Sequence, residues 1–245
     1  MKKLTGIFLS VVVPAYNEEK RIIPTLEKMQ KYLKRQKYPY EIIVVDDQSR
    51  DKTREVVRRF IKDNSDITYL RGRRNKGKGY SVKTGMLHAR GDYVLFSDAD
   101  NSTPIKEVEK LLPLLKEGGY DIAIGSRALA DSNVRVPQAW PRRTMGRIFN
   151  LFVQLIATPG IKDTQCGFKC FKHTVIYRLF RRQKILGFCF DVEILFMARK
   201  YNYKIKEVPI RWFNSPRSQV NMVVSPLTMM RDLVRIRTND WKKPY

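Results

Sequence analysis

At 245 residues the chain can form one well-packed domain with a substantial core but not two full domains, and its 43% hydrophobic residues are typical of a globular protein. Lysine and arginine number 48 against 24 aspartates and glutamates, and the formal charge of +24 predicts an anionic partner: a nucleic acid, an anionic membrane surface or a phosphorylated substrate. No stretch reaches the roughly 18 consecutive apolar residues that a membrane-spanning helix needs, so the sequence argues against an integral membrane protein.

Short apolar runs alternate with helical patterns along the first half of the chain. A run ending at Pro14 predicts a strand, and Ile22, Leu26, Met29 and Leu33 then recur at helical spacing. The alternation continues through the strand EIIVVDD, a helix marked by Val56, Val57, Phe60 and Ile61, the strand ITYL, a helix marked by Val82, Met86 and Ala89, the strand DYVLFSD, a helix marked by Leu111, Leu112 and Leu115, and the strand YDIAIGS. This order predicts an α/β fold with a mostly parallel sheet flanked by helices.

Polar residues follow three of these strands, and in an open α/β sheet ligands bind beyond the carboxyl ends of the strands. In the third motif, SDADNST, Asp98 and Asp100 are separated only by Ala99. Paired carboxylates supply the oxygen ligands that a divalent cation prefers, and such a cation can meet a phosphate-bearing substrate. An ordinary solvated turn is the alternative.

The second motif, VVDDQSRDKT, has two interpretations. In the first, Ser49 and Asp51 form a helix N-cap, which explains Asp51 but leaves Asp46 unexplained. In the second, Asp46 has a partner, because a carboxylate directly after an apolar strand is desolvated unless a group pairs with it. Downstream, Gly77 and Gly79 allow a close backbone approach near a helix start. Their pattern is neither a Walker loop nor a dinucleotide-binding fingerprint.

The three cysteines, Cys166, Cys170 and Cys189, occur without a secretory signal pattern, which favours a reducing compartment. Cys166 and Cys170 could bind zinc, but His173 stands alone and no second pair of Cys or His residues lies nearby in the sequence. We therefore expect buried or neutral thiols. In the apolar stretch FCFDVEILF, we expect one of the two carboxylates to pair with a basic residue.

Six motifs occur in the order PAYNEE, VVDDQSRDKT, RNKGKGYSVKTGM, SDADNST, IGSR and DTQCGFK. Together they resemble the family 2 nucleotide-sugar glycosyltransferases with the GT-A fold, and the resemblance extends from about residue 8 to about residue 220. Within that family the chain looks most like the enzymes that transfer sugars to polyprenyl or dolichyl phosphate, the β-glucosyltransferase type first and the mannose synthase type second.

The resemblance implies a role for individual residues. Pro14, Tyr16, Glu18, Asp46 and Asp47 would hold the base and ribose, with Gly77, Lys78, Ala99, Arg127 and Arg217 also on the nucleotide sugar. Asp98 and Asp100 would bind Mg²⁺ or Mn²⁺, which bridges the diphosphate. Arg127 would contact the donor or acceptor phosphate, Asp163 and Gln165 would orient sugar hydroxyls, and Lys169, Arg211 and Arg217 are candidates for the acceptor phosphate. For Asp163 a loop aspartate that caps a turn is the alternative.

One position departs from the family pattern. Where many relatives have Ser-Lys, this chain has Ser218-Gln219, so a cation that could neutralise the diphosphate is missing there. Arg217 is a substitute one residue earlier, although arginine and lysine differ in reach and geometry.

The implied reaction is inverting transfer of a hexose, with glucose favoured, to a polyprenyl or dolichyl monophosphate. The donor is UDP-glucose, favoured by the DTQCGFK stretch, with GDP-mannose and a soluble or protein acceptor as alternatives. A phosphate monoester is largely ionised at neutral pH, so this nucleophile needs cations more than a general base. A nucleic-acid-binding module is supported by charge alone and has no recognisable motif, so we expect no nucleic acid.

Two segments predict contact with an anionic membrane surface. Residues 143–157 have a wide apolar face beside a narrow polar strip, which a core helix or an interfacial helix explains, and the basic flank favours the interface. The basic segment 221–245, with Trp241 near its end, predicts a second surface segment. We therefore expect a catalytic domain at 1–220, an amphipathic tail at 221–245, and peripheral attachment at the cytoplasmic face of a membrane.

Overall fold

The structure is a computed structural model, and it describes residues 6–135, 149–213, 224–242 and 245. Nine strands are found in this part of the chain: β1 (Leu9–Ala15), β2 (Tyr40–Asp46), β3 (Ile67–Arg71), β4 (Tyr93–Ser97), β5 (Ile122–Ser126), β6 (Asn133–Arg135), β7 (Phe168–Lys172), β8 (Ile205–Pro209) and β9 (Arg211–Phe213). The helices are α1 (Ile22–Leu33), α2 (Thr53–Phe60), α3 (Lys78–His88), α4 (Leu112–Lys116), α5 (residues 149–156), α6 (His173–Arg182), α7 (Phe190–Lys200) and α8 (Val224–Lys242), with short 3₁₀ turns at Ile61–Asp63 and Ile105–Lys110.

Seven strands form one sheet in the order β3-β2-β1-β4-β7-β5-β8. All neighbouring pairs are parallel except those of β7, which runs antiparallel to both β4 and β5. Ala15 pairs with Asp46, and Asp46 pairs with Arg71, so the carboxyl ends of β1, β2 and β3 meet at one edge of the sheet. A separate parallel pair joins β6 to β9.

Two apolar clusters cover the two faces of the sheet. One contains residues of α3, α6, α7 and α8, and the other contains residues of α1, α2 and α4. Every residue of β1 is buried, as expected for a strand with a helix layer on each side. The predicted mostly parallel sheet flanked by helices is confirmed.

The antiparallel strand β7 was not predicted from the sequence. Its sequence, FKCFK, places Lys169 between apolar residues, and this pattern predicts that the lysine side chain faces solvent. The side chain of Lys169 is instead 1% exposed, because Asp191 of α7 pairs with it inside the protein.

The two segments with membrane-surface patterns are partly integrated into the core. In α5, Val153 is buried, whereas Leu151 and Leu155 are 58% and 73% exposed. In α8, Leu233 and Ile236 are buried in the cluster that contains α7. The division of the chain at residue 220 stays a prediction. No helix in the described ranges is long and apolar enough to cross a membrane.

Candidate active site

A cleft of about 330 Å³ opens at the sheet edge where β1, β2 and β4 end. Nine of the predicted site residues line it: Pro14, Tyr16, Glu18, Asp47, Gly77, Lys78, Asp98, Ala99 and Asp100. They come from three strand ends, from the turn before α3 and from the first residue of α3. The topology thus brings together motifs that are far apart in the sequence, as expected for an α/β sheet.

Asp98 lies at the centre of this arrangement. Its Oδ1 is 2.6 Å from the Lys78 ammonium, and its backbone N–H donates to the carbonyl of Gly167 at 3.1 Å. A Cβ at position 167 would collide with the Asp98 carboxylate, so only glycine leaves the room that this carboxylate occupies. Burial alone would lower the pKa of the Lys78 ammonium, but the Asp98 and Asp191 carboxylates outweigh it and raise that pKa above its ordinary value.

The turn that follows Asp98 is held by short hydrogen bonds. The Thr25 hydroxyl of α1 donates to the carbonyl of Ala99 at 2.8 Å, and the Ser102 N–H donates to Asp100 Oδ1 at 3.0 Å. Asn101 has a φ of 53°, a left-handed conformation that asparagine tolerates. These contacts orient both carboxylates of the pair toward the same cleft.

Asp46 is fully buried and accepts hydrogen bonds from within the protein. The Ser49 hydroxyl and the Tyr69 hydroxyl donate to it at 2.6 and 2.5 Å, and Arg71 lies 3.3 Å away. The predicted need for a partner at this position is therefore met by residues of β3 and of the loop after β2. A contact between Asp46 and a nucleotide stays a prediction.

Asp47 supports the turn before α3. Its two carboxylate oxygens accept the N–H groups of Lys76 and Gly77 at 2.9 and 2.6 Å. Burial raises the pKa of Asp47, and these two N–H donors oppose that shift. Gly77 has a φ of 103°, and a Cβ there would lie 2.6 Å from the carbonyl oxygen of Leu186, so the turn needs glycine.

The first two motifs bind each other through the backbone. The N–H of Asn17 donates to the Ser49 hydroxyl at 2.9 Å, and the N–H of Glu18 donates to the Thr53 hydroxyl at 2.7 Å. The N-cap residue of α2 is Lys52 and makes no side-chain cap bond, so the predicted cap at Ser49 or Asp51 is not met; Asp51 instead accepts the N–H of Thr53, the first residue of the helix, at 2.9 Å. Burial raises the pKa of Glu18 although Arg21, directly before α1, lies 2.6 Å away as its ion-pair partner.

Arg127 and Asp163 form a two-pronged ion pair. The Arg127 Nε and Nη2 atoms donate to the two carboxylate oxygens at 2.7 and 2.8 Å, and the Arg127 N–H adds a third bond of 2.9 Å. Burial would raise the pKa of Asp163, but Arg127 outweighs it and holds that pKa below the ordinary value. Asp163 thus binds a residue 36 positions away rather than capping its own turn.

Six candidates within the described residues do not line the cleft: Asp46, Arg127, Asp163, Gln165, Lys169 and Arg211. Lys169 was predicted as an acceptor-phosphate ligand, but its buried ammonium donates to Asp191 at 2.7 Å and to the carbonyl of Cys166 at 2.5 Å. That prediction is not supported by its position, because both contacts hold the ammonium away from solvent. Gln165 is half-buried and Arg211 is exposed on β9. Arg217 and the Ser218-Gln219 departure lie outside the described residues.

Sequence reasoning missed six residues that also line the cleft: Ala15, Arg21, Asn75, Ser81, Gly187 and Phe188. Gly187 and Phe188 come from the segment between α6 and α7, which carries no recognisable motif. The buried Ser81 hydroxyl has no hydrogen-bond partner among the described atoms. Ala15, Asn75 and Ser81 lie within the motifs PAYNEE and RNKGKGYSVKTGM, so their place in those motifs was a signal that could have found them. Contact of Arg21, Gly187 and Phe188 with the cleft is set by packing, which only the tertiary structure reveals.

The three cysteines are free and buried, as predicted. Burial raises the pKa of the Cys166 thiol to about 12, so this thiol is neutral at physiological pH. Within the described ranges, no group of three or more His, Cys, Asp or Glu side chains is placed to hold a metal ion.

Comparison with known proteins decides the family. The model of glycosyl transferase family 2 matches residues 10–180. The chain belongs to glycosyltransferase family 2. The resemblance drawn from the six motifs is confirmed, and the chain is a glycosyltransferase.

Individual relatives narrow the comparison. The chain is 39% identical to a dolichyl-phosphate beta-glucosyltransferase of Dictyostelium discoideum over 96% of this chain and 75% of that one. It is 36% identical to the dolichyl-phosphate beta-glucosyltransferase of Homo sapiens over 96% of this chain and 77% of the human protein. Among solved structures, glucosyl-3-phosphoglycerate synthase of Mycobacterium tuberculosis, in complex with Mn²⁺, UDP and phosphoglyceric acid, matches with a TM-score of 0.70 at 19% identity, over 97% of this chain and 79% of that one. At this identity the match shows a shared fold.

The donor set of this glycosyltransferase fits a hard divalent cation. Asp98 and Asp100 offer carboxylate oxygens at the cleft, and the Lys78 ammonium already rests against Asp98 as a positive group. Mg²⁺ in proteins is commonly bound by one or two carboxylates together with substrate phosphates and water. Two protein carboxylates are therefore a sufficient protein contribution.

Proposed function

We propose that this glycosyltransferase moves a hexose from a nucleotide sugar to a polyprenyl or dolichyl monophosphate with inversion, glucose and UDP-glucose being the favoured sugar and donor. The observation that carries the proposal is the gathering of nine predicted site residues, Asp98 and Asp100 among them, in one cleft. Relatives named dolichyl-phosphate beta-glucosyltransferase match nearly the whole chain, which supports this choice of acceptor and sugar.

The site residues have distinct proposed tasks. Asp98 and Asp100 would hold Mg²⁺ or Mn²⁺, and this cation would offset the charge of the leaving nucleoside diphosphate. Pro14, Tyr16, Glu18, Asp47 and Gly77 line the donor side of the cleft and are proposed to hold the base and ribose. Lys78 reaches the same place with its ammonium and would contact the diphosphate.

Approach of the second anion needs further cations. Arg127 is 30% exposed at its side chain and is held by Asp163, so its guanidinium has a fixed position. We assign it, with Arg211 and Arg217, to the acceptor phosphate; Asp163 and Gln165 would orient sugar hydroxyls. An ionised phosphate monoester attacks without a general base, so these residues orient and neutralise rather than move a proton.

The acceptor lipid places the enzyme at a membrane surface. Leu151, Phe152 and Leu155 of α5 are exposed apolar side chains, and Trp241 of α8 is 78% exposed. Exposed apolar residues on a chain with a net charge of +24 favour peripheral attachment to anionic lipid, which we propose for the cytoplasmic face of a membrane.

The decisive experiment offers purified enzyme a panel of UDP- and GDP-sugars with a short polyprenyl phosphate and Mn²⁺, and measures the lipid-linked product. We expect glucosyl-phosphoryl-polyprenol from UDP-glucose. Product from GDP-mannose would assign mannose instead. Sugar turnover that is indifferent to lipid phosphate would identify a soluble or protein acceptor and overturn the proposal.

A further inference from the structure

The position of Lys78 is fixed by its surroundings. It is the first residue of α3 and directly follows the turn at Gly77. The Asp47 carboxylate holds this turn by accepting two backbone N–H groups. On the other side, the carbonyl of Leu186 accepts the Tyr80 N–H at 3.1 Å. The backbone around Lys78 is thus held from two directions, and its ammonium ends 2.6 Å from Asp98.

Among the described residues, Lys78 is the ion-pair partner of Asp98, at 2.6 Å. Asp191, another carboxylate that acts on Lys78, is already paired with Lys169 at 2.7 Å. The Asp98 side chain is 35% exposed and Lys78 is 22% exposed, so this ion pair faces the cleft and is open to exchange.

A divalent cation that enters alone meets two difficulties. The described part of the chain offers it no cluster of three ligating side chains, so its remaining ligands must come from water or from a bound anion. It must also take Asp98 from Lys78, which leaves a lysine ammonium without its partner beside a doubly charged ion. Both difficulties disappear when a diphosphate enters with the cation, because phosphate oxygens complete the ligand set and give the ammonium a new partner.

We propose that Lys78 is the counter-ion of Asp98 in the ligand-free enzyme and makes metal binding conditional on the diphosphate of the nucleotide sugar. This inference rests on the metal-dependent function proposed above and adds an order to it: metal and nucleotide bind as a coupled pair. Such coupling is reciprocal, so the nucleotide raises the affinity for the metal by the same factor as the metal raises the affinity for the nucleotide.

The experiment measures Mn²⁺ binding by the electron paramagnetic resonance signal of free Mn²⁺, with and without saturating UDP. For the wild type we expect Mn²⁺ to bind at least about tenfold more tightly when UDP is present. Without UDP, Lys78→Met should bind Mn²⁺ about tenfold more tightly than the wild type does. The increase in Mn²⁺ affinity that UDP causes should be smaller in Lys78→Met than in the wild type. Lys78→Arg keeps the charge and should keep the wild-type coupling.

Lys76→Met is the matched control. It removes the same charge two positions away, where the ammonium lies 4.3 Å from the centre of the Tyr80 ring. Its Mn²⁺ affinity should equal that of the wild type, and thermal unfolding of all variants shows that each is folded. Equal Mn²⁺ affinity in wild type and Lys78→Met, or the same gain in Lys76→Met, overturns the inference.

The transfer assay separates this inference from the proposed function. If the wild type makes the lipid-linked sugar while Lys78→Met leaves Mn²⁺ binding unchanged, the counter-ion role is wrong and the function stands. If no donor gives lipid-linked product, the proposed function is wrong whatever the Mn²⁺ titration shows.

Discussion

Lys169 and Asp191 form an ion pair almost completely removed from solvent, with the ammonium 2.7 Å from the carboxylate and side-chain exposures of 1% and 3%. Lys169 belongs to the central strand β7, opposite Phe96 of β4, and Asp191 belongs to the first turn of α7. The pair therefore ties α7 to the strand next to β4, the strand that Asp98 follows.

Removing one member of this pair should be strongly destabilising, since the other charge stays buried. We expect Lys169→Met to lower the free energy of unfolding by about 3–5 kcal/mol, as measured by urea denaturation. The double variant Lys169→Met, Asp191→Leu should regain most of that loss. A single variant as stable as the wild type would show that the pair opens to solvent.

Substitution of Gly167 should lower the transfer rate as much as substitution of Asp98. A methyl group at position 167 collides with the Asp98 carboxylate, so Gly167→Ala should displace the proposed metal ligand. We expect Gly167→Ala and Asp98→Asn each to lower the transfer rate by at least about 100-fold, or about 2.7 kcal/mol in the activation barrier. Circular dichroism serves as the check on folding. A fully active Gly167→Ala enzyme would contradict the role of Asp98.

The Arg127–Asp163 pair predicts a defined dependence of stability on pH. The pKa of Asp163 is lower in the folded protein than in the unfolded chain, where it is about 4. The ionised Asp163 therefore stabilises the fold above about pH 4, and this stabilisation is lost as the pH falls through the lowered pKa of the folded protein. At pH 7 the free energy of unfolding of the wild type should exceed that of Asp163→Asn by about 1.5–3 kcal/mol. This difference in stability should narrow below about pH 4. Thermal unfolding across this range measures it; a gap that stays constant down to pH 3 would refute the assignment.

Tyr245 supports the cleft from a distance. Its hydroxyl donates at 2.6 Å to the buried Glu193, which also accepts the Ile185 N–H at 2.8 Å in the segment that reaches the Gly77 turn. Burial raises the pKa of Glu193, so this carboxylate depends on its donors. We expect Tyr245→Phe to cost about 1.5–3 kcal/mol in urea denaturation and to raise the KM for the nucleotide sugar.

Tyr32→Phe is the control for that change. Its hydroxyl makes the same kind of bond, at 2.8 Å, to Glu109, but this bond lies at the surface and away from the cleft. We expect a smaller stability loss, below about 1 kcal/mol, and an unchanged KM. Equal effects in the two variants would remove any special role from Tyr245.

The exposed face of α5 can be tested one residue at a time. Leu155 is 73% exposed, so Leu155→Asp should not unfold the protein, but it should weaken co-sedimentation with anionic vesicles at low salt by about tenfold. Leu87 is 39% exposed on α3, and Leu87→Asp changes the charge equally. Equal binding by the two variants would show that α5 does not contact lipid.

Much of the fold and of the cleft was predictable because the relevant signals are local. Apolar runs mark strands that are buried on both faces, and parallel strands deliver their carboxyl ends to one edge. The polar residues after β1, β2 and β4 were therefore expected to meet, and they do. The strand β7 was missed because its central lysine finds its partner 22 residues further along the chain.

The sequence by itself determined the α/β architecture and the family, and it predicted that Asp98 and Asp100 follow a strand that ends at the cleft. Only the tertiary structure decided which cation serves which carboxylate: Lys78 faces Asp98 at the cleft, Arg127 binds Asp163, and Lys169 is buried against Asp191. The physical reason is range. Hydrophobic periodicity and strand ends are written in neighbouring residues, whereas ion pairs depend on distances that the chain sets only after it has folded.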